Sequence, residues 1–338
     1  MKRWTMRPEG SNWGDFGPDD QYGRMNLITP ERRMAAIKEV SAGLSFCLSL
    51  PLDYPGGSKL VEFRKPPKLF SPKSSSGEDV YLTTGAAGSF MGCCDTVCDD
   101  GVVLYTQYST QWDALSHWGQ RFDPYGDGNE DIVYYNGFKA KEHILGPGQD
   151  GGPAAKALGV EKLAEIAPQG LAALVNLHQI YGTEQVSVGY DELMRAFDAQ
   201  RVTLEPGDFL LIYTGLDQLI LSMGGDPDPG VLVSHCPTLN GWDDRLLQWI
   251  TDSGVVALCS DALGIDTFRF DGPDAGKTGL PIHTHCLFKL GIHLGELWYL
   301  KELADWLWEH KRSACLLTAP PLRLPGAVGS PVTPIATV

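Results

Sequence analysis

The sequence lacks long hydrophobic runs and an excess of positive charge, and both absences exclude classes of protein. Its apolar stretches, such as Phe209-Leu-Leu-Ile-Tyr213, are far shorter than the ~20 residues that a membrane-spanning helix needs. Residues 1–8 include early basic residues but no apolar run after them, so we expect no signal peptide. Lys and Arg total 27 against 42 Asp and Glu, a formal net charge of −15 over 338 residues. So acidic a surface repels phosphate, and we therefore expect neither nucleic acid nor membrane as a partner.

Cysteine is sparse and irregularly spaced, which argues against a disulfide-stapled secreted protein. In a chain of this size without an export signal, buried free thiols are the more common use of cysteine. We therefore expect free thiols and a cytoplasmic location. The eight cysteines are Cys47, Cys93, Cys94, Cys98, Cys236, Cys259, Cys286 and Cys315.

The apolar pattern predicts an α/β protein with one domain over residues 1–338. An irregular N-terminal arm is expected over about 1–28 and a Gly/Pro-rich C-terminal tail over about 319–338. Thr29 followed by Pro30 is typical of a helix start, and the Gly, Pro and Ser of residues 53–80 indicate a long loop. No dinucleotide-binding, Walker or nucleophile-elbow motif is present, so we expect no organic cofactor. Strands are expected over 102–106, 171–177, 209–213 and 255–259, and helices over 30–40, 190–199, 243–251 and 298–309.

One segment concentrates side chains that can bind a metal: Gln107, Gln111, Asp113 and His117, spaced four, two and four residues apart. In a straight strand the two glutamines would lie ~13 Å apart, at ~3.3 Å per residue, too far to share an ion. In a helix each pair shares a face, but the two pairs diverge. Convergence on one ion therefore needs a strand that breaks into a turn. The alternative is a polar turn, in which Asp113 caps a short helix and His117 bonds to the backbone.

The same segment resembles the signature His-x-Gly-Thr-His-x-Asp-x-Pro-x-His of the cyclase-like metal-dependent hydrolases. That family includes bacterial formylkynurenine hydrolases and isatin hydrolases. Thr110, Asp113 and His117 match the signature, whereas Gln107 and Gln111 stand in place of its two leading histidines. The double glutamine is similar to the trans-dienelactone hydrolase branch, whose members hydrolyse a lactone with zinc. Further similar blocks lie at 7–14, 205–215 and 319–331, so the resemblance spans most of the chain.

The family also pairs a histidine with a glutamate about a dozen residues later, which places a second block at 281–296. A short helix is expected before Gly291, and within it His283 and His285 are ~200° apart, so at most one faces the site. We favour His283 because its spacing to Glu296 suits the longer family members. If Glu296 ends a strand it shares the buried face of Leu294, and a buried carboxylate needs a partner.

The resemblance implies a swivelling β/β/α cyclase-like fold with mixed β-sheets, assembled as a homodimer or homotetramer. It implies a metal-dependent hydrolase that opens a lactone, cyclic amide or related small carbonyl substrate by attack of metal-bound hydroxide. The ion, Zn²⁺ or Mn²⁺, would lower the pKa of a bound water and polarise the substrate carbonyl.

The residues implied for this chemistry come from both blocks. The implied metal ligands are Gln107, Gln111, Asp113 and His117. The implied catalytic residues are His117, His283 and Glu296, with His117 or Glu296 transferring the proton. Among these implied ligands Asp113 alone is anionic and the others are neutral. The bound ion would therefore keep net positive charge and favour an anionic substrate. The alternative is a catalytically inactive or metal-free member of the fold that binds a small molecule.

Overall fold

The computed structural model describes residues 3–81, 95–267 and 278–338. Short 3₁₀ helices at Gly23–Leu27 and Tyr135–Gly137 and a π-helix at Thr284–Leu290 supplement the α-helices and strands. The α-helices are α1 (Pro30–Ile37), α2 (Val160–Glu165), α3 (His178–Tyr181), α4 (Tyr190–Gln200), α5 (Leu216–Ser222), α6 (Pro229–Ser234), α7 (Asp244–Ser253), α8 (Pro281–His283) and α9 (Lys301–Glu309). The strands are β1 (Ser45–Cys47), β2 (Lys68–Phe70), β3 (Gly101–Val103), β4 (Gln111–Asp113), β5 (Gln120–Phe122), β6 (Asp131–Val133), β7 (Ile144–Leu145), β8 (Ala154–Ala155), β9 (Gln169–Asn176), β10 (Ser187–Val188), β11 (Phe209–Tyr213), β12 (Thr238–Leu239), β13 (Ala257–Ser260), β14 (His293–Glu296), β15 (Ala314–Thr318), β16 (Gly329–Pro331) and β17 (Ile335–Thr337).

A mixed nine-stranded sheet organises the chain, in the order β1-β17-β15-β9-β11-β13-β14-β4-β16. Its centre is parallel, because β9, β11, β13 and β14 run in one direction, and its flanking strands are antiparallel. Both faces of the centre are covered. Along β11, Leu210 and Ile212 pack into one hydrophobic cluster, whereas Phe209 and Leu211 pack into the other. This burial on two faces explains why the strand is continuously apolar, and the predicted α/β class with a mixed sheet is confirmed.

All four predicted helices form, with boundaries set by hydrogen bonds at their ends. The predicted cap at Thr29 is observed: its hydroxyl accepts a hydrogen bond from the Arg32 amide, and Pro30 follows as the first helical residue. Helix α9 begins at Lys301, three residues after the predicted start. The Leu300 and Lys301 amides instead donate to the carboxylate of Asp217, which therefore occupies the helix N-terminus.

Three strand predictions and the predicted tail need corrections. The strand expected over 102–106 spans only Gly101–Val103 and pairs with Lys68–Phe70, which lies within the expected long loop. The strand expected over 255–259 spans Ala257–Ser260, and the strand expected over 171–177 spans Gln169–Asn176. The expected C-terminal tail is part of the sheet: Gly329–Pro331 pairs with β4, and Ile335–Thr337 lies between β1 and β15. Short strands rich in Gly and Pro have no clear alternation, so their pairing is visible only in the tertiary structure.

The N-terminal arm packs against the core, and the described cysteines are unpaired. Trp13 of the arm is fully buried, and its indole N–H donates to the Phe288 carbonyl at 2.8 Å. Six of the eight cysteines lie in the described residues and all six are free thiols, while Cys93 and Cys94 lie outside that part of the chain. Among the helices of the described ranges, none is long and apolar enough to cross a bilayer.

Candidate functional site

The site begins with two antiparallel strands, β4 and β14, that lie side by side in the sheet. Their register places Glu296 opposite Gln111 and Leu294 opposite Asp113. Side chains two residues apart on a strand share a face, and diagonal neighbours on paired strands are within reach of one another. Gln111, Asp113 and Glu296 therefore share one side of the sheet, and all three are buried. Two carboxylates and an amide thus meet in the protein interior.

A histidine from the next segment completes this cluster. His283 ends α8, where Pro281 starts the helix, and its imidazole Nε2 lies 3.2 Å from Glu296 Oε1. The other ring nitrogen, Nδ1, donates to Asp266 Oδ2 at 2.7 Å. Asp266 also accepts from the backbone amides of Ile282 and His283, so it fixes both the helix start and the imidazole. Candidate ligand atoms of Asp113, His283 and Glu296 all lie within 4.8 Å of one another.

Gln111 bridges the two carboxylates through its amide nitrogen. Its Nε2 donates to Asp113 Oδ1 at 3.4 Å and to Glu296 Oε2 at 3.3 Å. Two carboxylates this close repel each other, and a neutral donor between them reduces that repulsion. The amide oxygen of Gln111 is buried and has no hydrogen-bond partner in the described part of the chain.

His117 and Gln107 form the outer edge of the site. His117 Nε2 lies 3.8 Å from Asp113 Oδ1, and 21% of the His117 side chain is exposed. Gln107 Nε2 lies 3.4 Å from His117 Nδ1, and Gln107 Oε1 accepts the Thr106 hydroxyl at 2.7 Å. Since the oxygen of this amide is used by Thr106, its nitrogen donates to His117 Nδ1. The proton of a neutral His117 is therefore on Nε2, which faces Asp113.

Burial and neighbouring charges shift the pKa values in this cluster in opposite directions. Burial raises the pKa of Asp113, and the negative charge of Glu296 adds to this effect. Burial alone would lower the pKa of His283, but the carboxylates of Asp266 and Glu296 outweigh it and raise the pKa to about 10. Burial would raise the pKa of Glu296, but the adjacent His283 outweighs it and lowers the pKa. The cluster therefore holds concentrated negative charge for which His283 is the main internal counter-charge.

These residues fit a divalent cation. Two buried acceptor oxygens, Gln111 Oε1 and Asp113 Oδ2, have no hydrogen-bond partner in the described ranges, and Glu296 Oε1 has the ion-pair contact with His283 Nε2. Buried acceptors are almost always paired, so two unpaired ones beside a carboxylate fit a cation that binds between them. Carboxylate oxygens and an imidazole nitrogen are ligands that Zn²⁺ uses, and a ligating histidine usually donates its other N–H to a carboxylate, as His283 does to Asp266.

The structure brings all six residues of the sequence prediction to one place. Gln107, Gln111, Asp113, His117, His283 and Glu296 are joined by the contacts above. The predicted break lies just before β4, where turn residues precede Gln111. Asp113 lies within this strand and not at a helix start. His285, the alternative to His283, is hydrogen-bonded through Nε2 to the Thr251 hydroxyl at 2.8 Å.

Two residues of the site were missed by the sequence analysis. Asp266 follows β13, and an acidic residue shortly after the carboxyl end of a buried parallel strand is a usable signal. Arg64 donates from Nη1 to the Gln107 carbonyl at 2.8 Å, although it comes from the expected long loop. Nothing local distinguishes Arg64 from the neighbouring Lys65, so its position depends on the tertiary structure.

Comparison with known proteins identifies one family and several solved structures with a similar fold. The model of the Cyclase family, described as "Putative cyclase", matches residues 48–267, well over half of the 338-residue chain. That range contains the 107–117 segment and Asp266 but ends before His283 and Glu296. Comparison of the sequence with curated proteins gives no significant match.

Solved structures extend the similarity over nearly the whole chain. A crystal structure described as a novel cyclase is 29% identical, with a TM-score of 0.77, covering 97% of this chain and 99% of that one. Isatin hydrolase A from Ralstonia solanacearum is 16% identical with a TM-score of 0.55, covering 91% and 97%. Isatin hydrolase A from Labrenzia aggregata, bound to benzyl benzoate, is 14% identical with a TM-score of 0.53, covering 87% and 93%. The two isatin hydrolases share the fold, and the narrower likeness to trans-dienelactone hydrolases stays a prediction. This chain belongs to the Cyclase family.

Proposed function

We propose that this chain is a metal-dependent hydrolase that opens a lactone, cyclic amide or related small carbonyl compound. The observation that carries the proposal is the buried cluster of Asp113, His283 and Glu296, whose candidate ligand atoms lie within 4.8 Å of one another. Membership of the Cyclase family and a fold shared with isatin hydrolases support a hydrolytic role. A cytoplasmic location and a homodimer or homotetramer are part of the same proposal.

Asp113, His283 and Glu296 would hold the cation, Zn²⁺ or Mn²⁺, and Gln111 offers a buried amide oxygen beside them. When bound, a divalent cation supplies Lewis acidity, which polarises a carbonyl and lowers the pKa of a water. Asp266 keeps the ring of His283 oriented through the hydrogen bond to Nδ1. This arrangement differs from the ligand set implied by the resemblance, because Gln107 and His117 lie at the edge of the cluster.

His117 is a hydrogen-bond donor to the leaving group in this proposal. Gln107 holds the proton of neutral His117 on Nε2, and that atom lies at the partly exposed edge of the site, where a substrate enters. Its N–H would donate a hydrogen bond to the leaving oxygen or nitrogen as the bond to the carbonyl carbon breaks, and the proton that this group takes up would be the one that Glu296 accepts from the water. Glu296 is the carboxylate placed to accept the proton of the attacking water, because Gln111 holds Oε2 while Oε1 faces the cluster beside His283.

Metal analysis combined with a substrate screen tests the proposal. We expect about one equivalent of Zn or Mn per chain in the purified protein, and hydrolysis of at least one compound among lactones, isatin-like amides and formamides. Chelation should abolish that hydrolysis and added metal should restore it. Asp113→Asn should lose the metal, whereas Asp127→Asn, a change at an exposed loop residue, should keep it. A folded protein with no metal and no hydrolysis would support the non-catalytic binding protein instead.

A further inference from the structure

Arg64 is a cation beside the candidate site that the hydrolytic steps above do not use. It is half-buried, and its Nη1 donates to the carbonyl of Gln107, the residue that orients His117. Burial tends to raise the pKa of the Asp113 and Glu296 carboxyls. The positive charge of Arg64 is one of several nearby charges that act in the opposite direction on both. Arg64 therefore lies within electrostatic range of the cluster without contacting it.

Within the described residues, Arg64 forms no ion pair, and its side-chain hydrogen bond to the Gln107 carbonyl uses Nη1 alone. A guanidinium has five N–H donors, so the edge formed by Nε and Nη2 stays free. Arg32 provides a contrast, since it is paired with both Glu205 and Asp208. If a divalent cation compensates the charges of Asp113 and Glu296, the positive charge of Arg64 is left without a counter-ion.

The position of Arg64 is set by a well-anchored loop. The Tyr108 hydroxyl accepts from the Gly56 amide at 3.1 Å and donates to the Gly57 carbonyl at 2.9 Å. Tyr108 is buried and adjacent to Gln107, so this loop is tied directly to the segment that carries the site. Together with Leu263, these residues, Gln107 and Arg64 line a recess of about 10 Å³, which has room for about one water molecule. The loop therefore holds Arg64 beside Gln107, at the outer edge of the site.

We propose that Arg64 binds a carboxylate carried by the substrate at a position away from the bond that is hydrolysed. This inference rests on the proposed function and names its substrate class: an acidic lactone, cyclic amide or formamide. A guanidinium edge with two parallel N–H groups matches a carboxylate in a bidentate pair. The protein as a whole has a net charge of −15 and repels anions, so an acidic substrate needs a local cation at the entrance of the site.

The test compares a carboxylate with its ester in matched variants. The probes are 5-carboxyphthalide and its methyl ester, each measured for binding by calorimetry and for hydrolysis with the metal-loaded protein. Wild type should prefer the carboxylate, and Arg64→Gln should weaken its binding and raise its KM by roughly 10- to 100-fold, the range for a charged hydrogen bond. The ester should change little. Arg64→Lys should keep part of the preference, and Lys65→Gln, at the exposed neighbouring cation, should keep all of it.

The outcomes separate this inference from the proposed function. Preferential binding of the carboxylate that disappears in Arg64→Gln supports the inference even if neither probe is hydrolysed, a result that would count against the hydrolase proposal alone. Hydrolysis with equal KM for carboxylate and ester, or a preference that survives Arg64→Gln, overturns the inference and leaves the hydrolase proposal intact. An equal fall in kcat for both probes would mean that Arg64 only positions Gln107, and the inference would then be wrong.

Discussion

Replacing Asp113 with asparagine should stabilise the metal-free protein while abolishing its stabilisation by metal. Burial and the neighbouring Glu296 raise the pKa of Asp113, so keeping this carboxylate ionised at neutral pH costs folding free energy. Asparagine keeps an oxygen that can accept the hydrogen bond from Gln111, which the structure gives to Asp113 Oδ1. It removes one of the two adjacent negative charges. The same change removes a ligand that the cation needs.

The two effects have opposite signs and similar sizes. Relief of a buried like-charge contact should raise the free energy of unfolding of the metal-free protein by about 0.5–2 kcal/mol, the range typical of single stabilising changes. A bound cation stabilises the wild type by about 2.7 kcal/mol when its free concentration is 100 times Kd. The order of stability should therefore reverse: the variant is more stable with chelator, and the wild type is at least as stable with metal.

Urea denaturation in chelator and in excess Zn²⁺ measures both terms, with Asp127→Asn as the exposed control. The variant should show the same unfolding curve in both conditions, whereas the wild type and the control should shift to higher urea with Zn²⁺. A variant that is destabilised in chelator would refute the repulsion argument. A variant that is still stabilised by Zn²⁺ to the wild-type extent would place the cation elsewhere, and the cluster would then be a structural network.

Three further predictions address other parts of the molecule. Glu296→Gln should lower turnover at least ~10²-fold with the fold retained; unfolding with normal activity per folded molecule would make Glu296 a structural group. Gln111→His should tighten Zn²⁺ binding, because imidazole is a better zinc ligand than an amide, and equilibrium dialysis that finds equal or weaker binding would contradict a ligand position for Gln111. Burial lowers the pKa of His293 to about 3, whereas in the unfolded chain its pKa is near 6.5. As the pH falls below about 6.5, the unfolded chain therefore binds a proton that the folded chain does not, and the free energy of unfolding decreases. Between pH 7 and pH 5 the wild type should therefore lose about 2 kcal/mol more stability than His293→Leu, and equal losses in urea titrations would show that His293 is accessible to protons.

Elements that depend on local signals are predictable from the sequence. The strand Phe209–Tyr213 has the predicted bounds because turn residues flank it on both sides, and a strand that is buried on two faces is continuously apolar. The helix after Thr29 starts where its cap and Pro30 indicate. The two-residue period of a strand likewise places Gln111 and Asp113 on one face without knowledge of any partner. In these cases the determining interactions lie within a few residues of the chain.

The assembly of the site was decided by the tertiary structure. Gln111 and Glu296 are 185 residues apart in sequence, and only the antiparallel register of β4 and β14 places them side by side. Asp266 contacts His283 across 17 residues and Arg64 contacts Gln107 across 43 residues of sequence, and the C-terminal strands join the sheet through pairing that their composition does not indicate. Sequence periodicity specifies which face a side chain occupies. It does not specify which strand will lie beside it, because that choice depends on the free energy of packing the whole sheet.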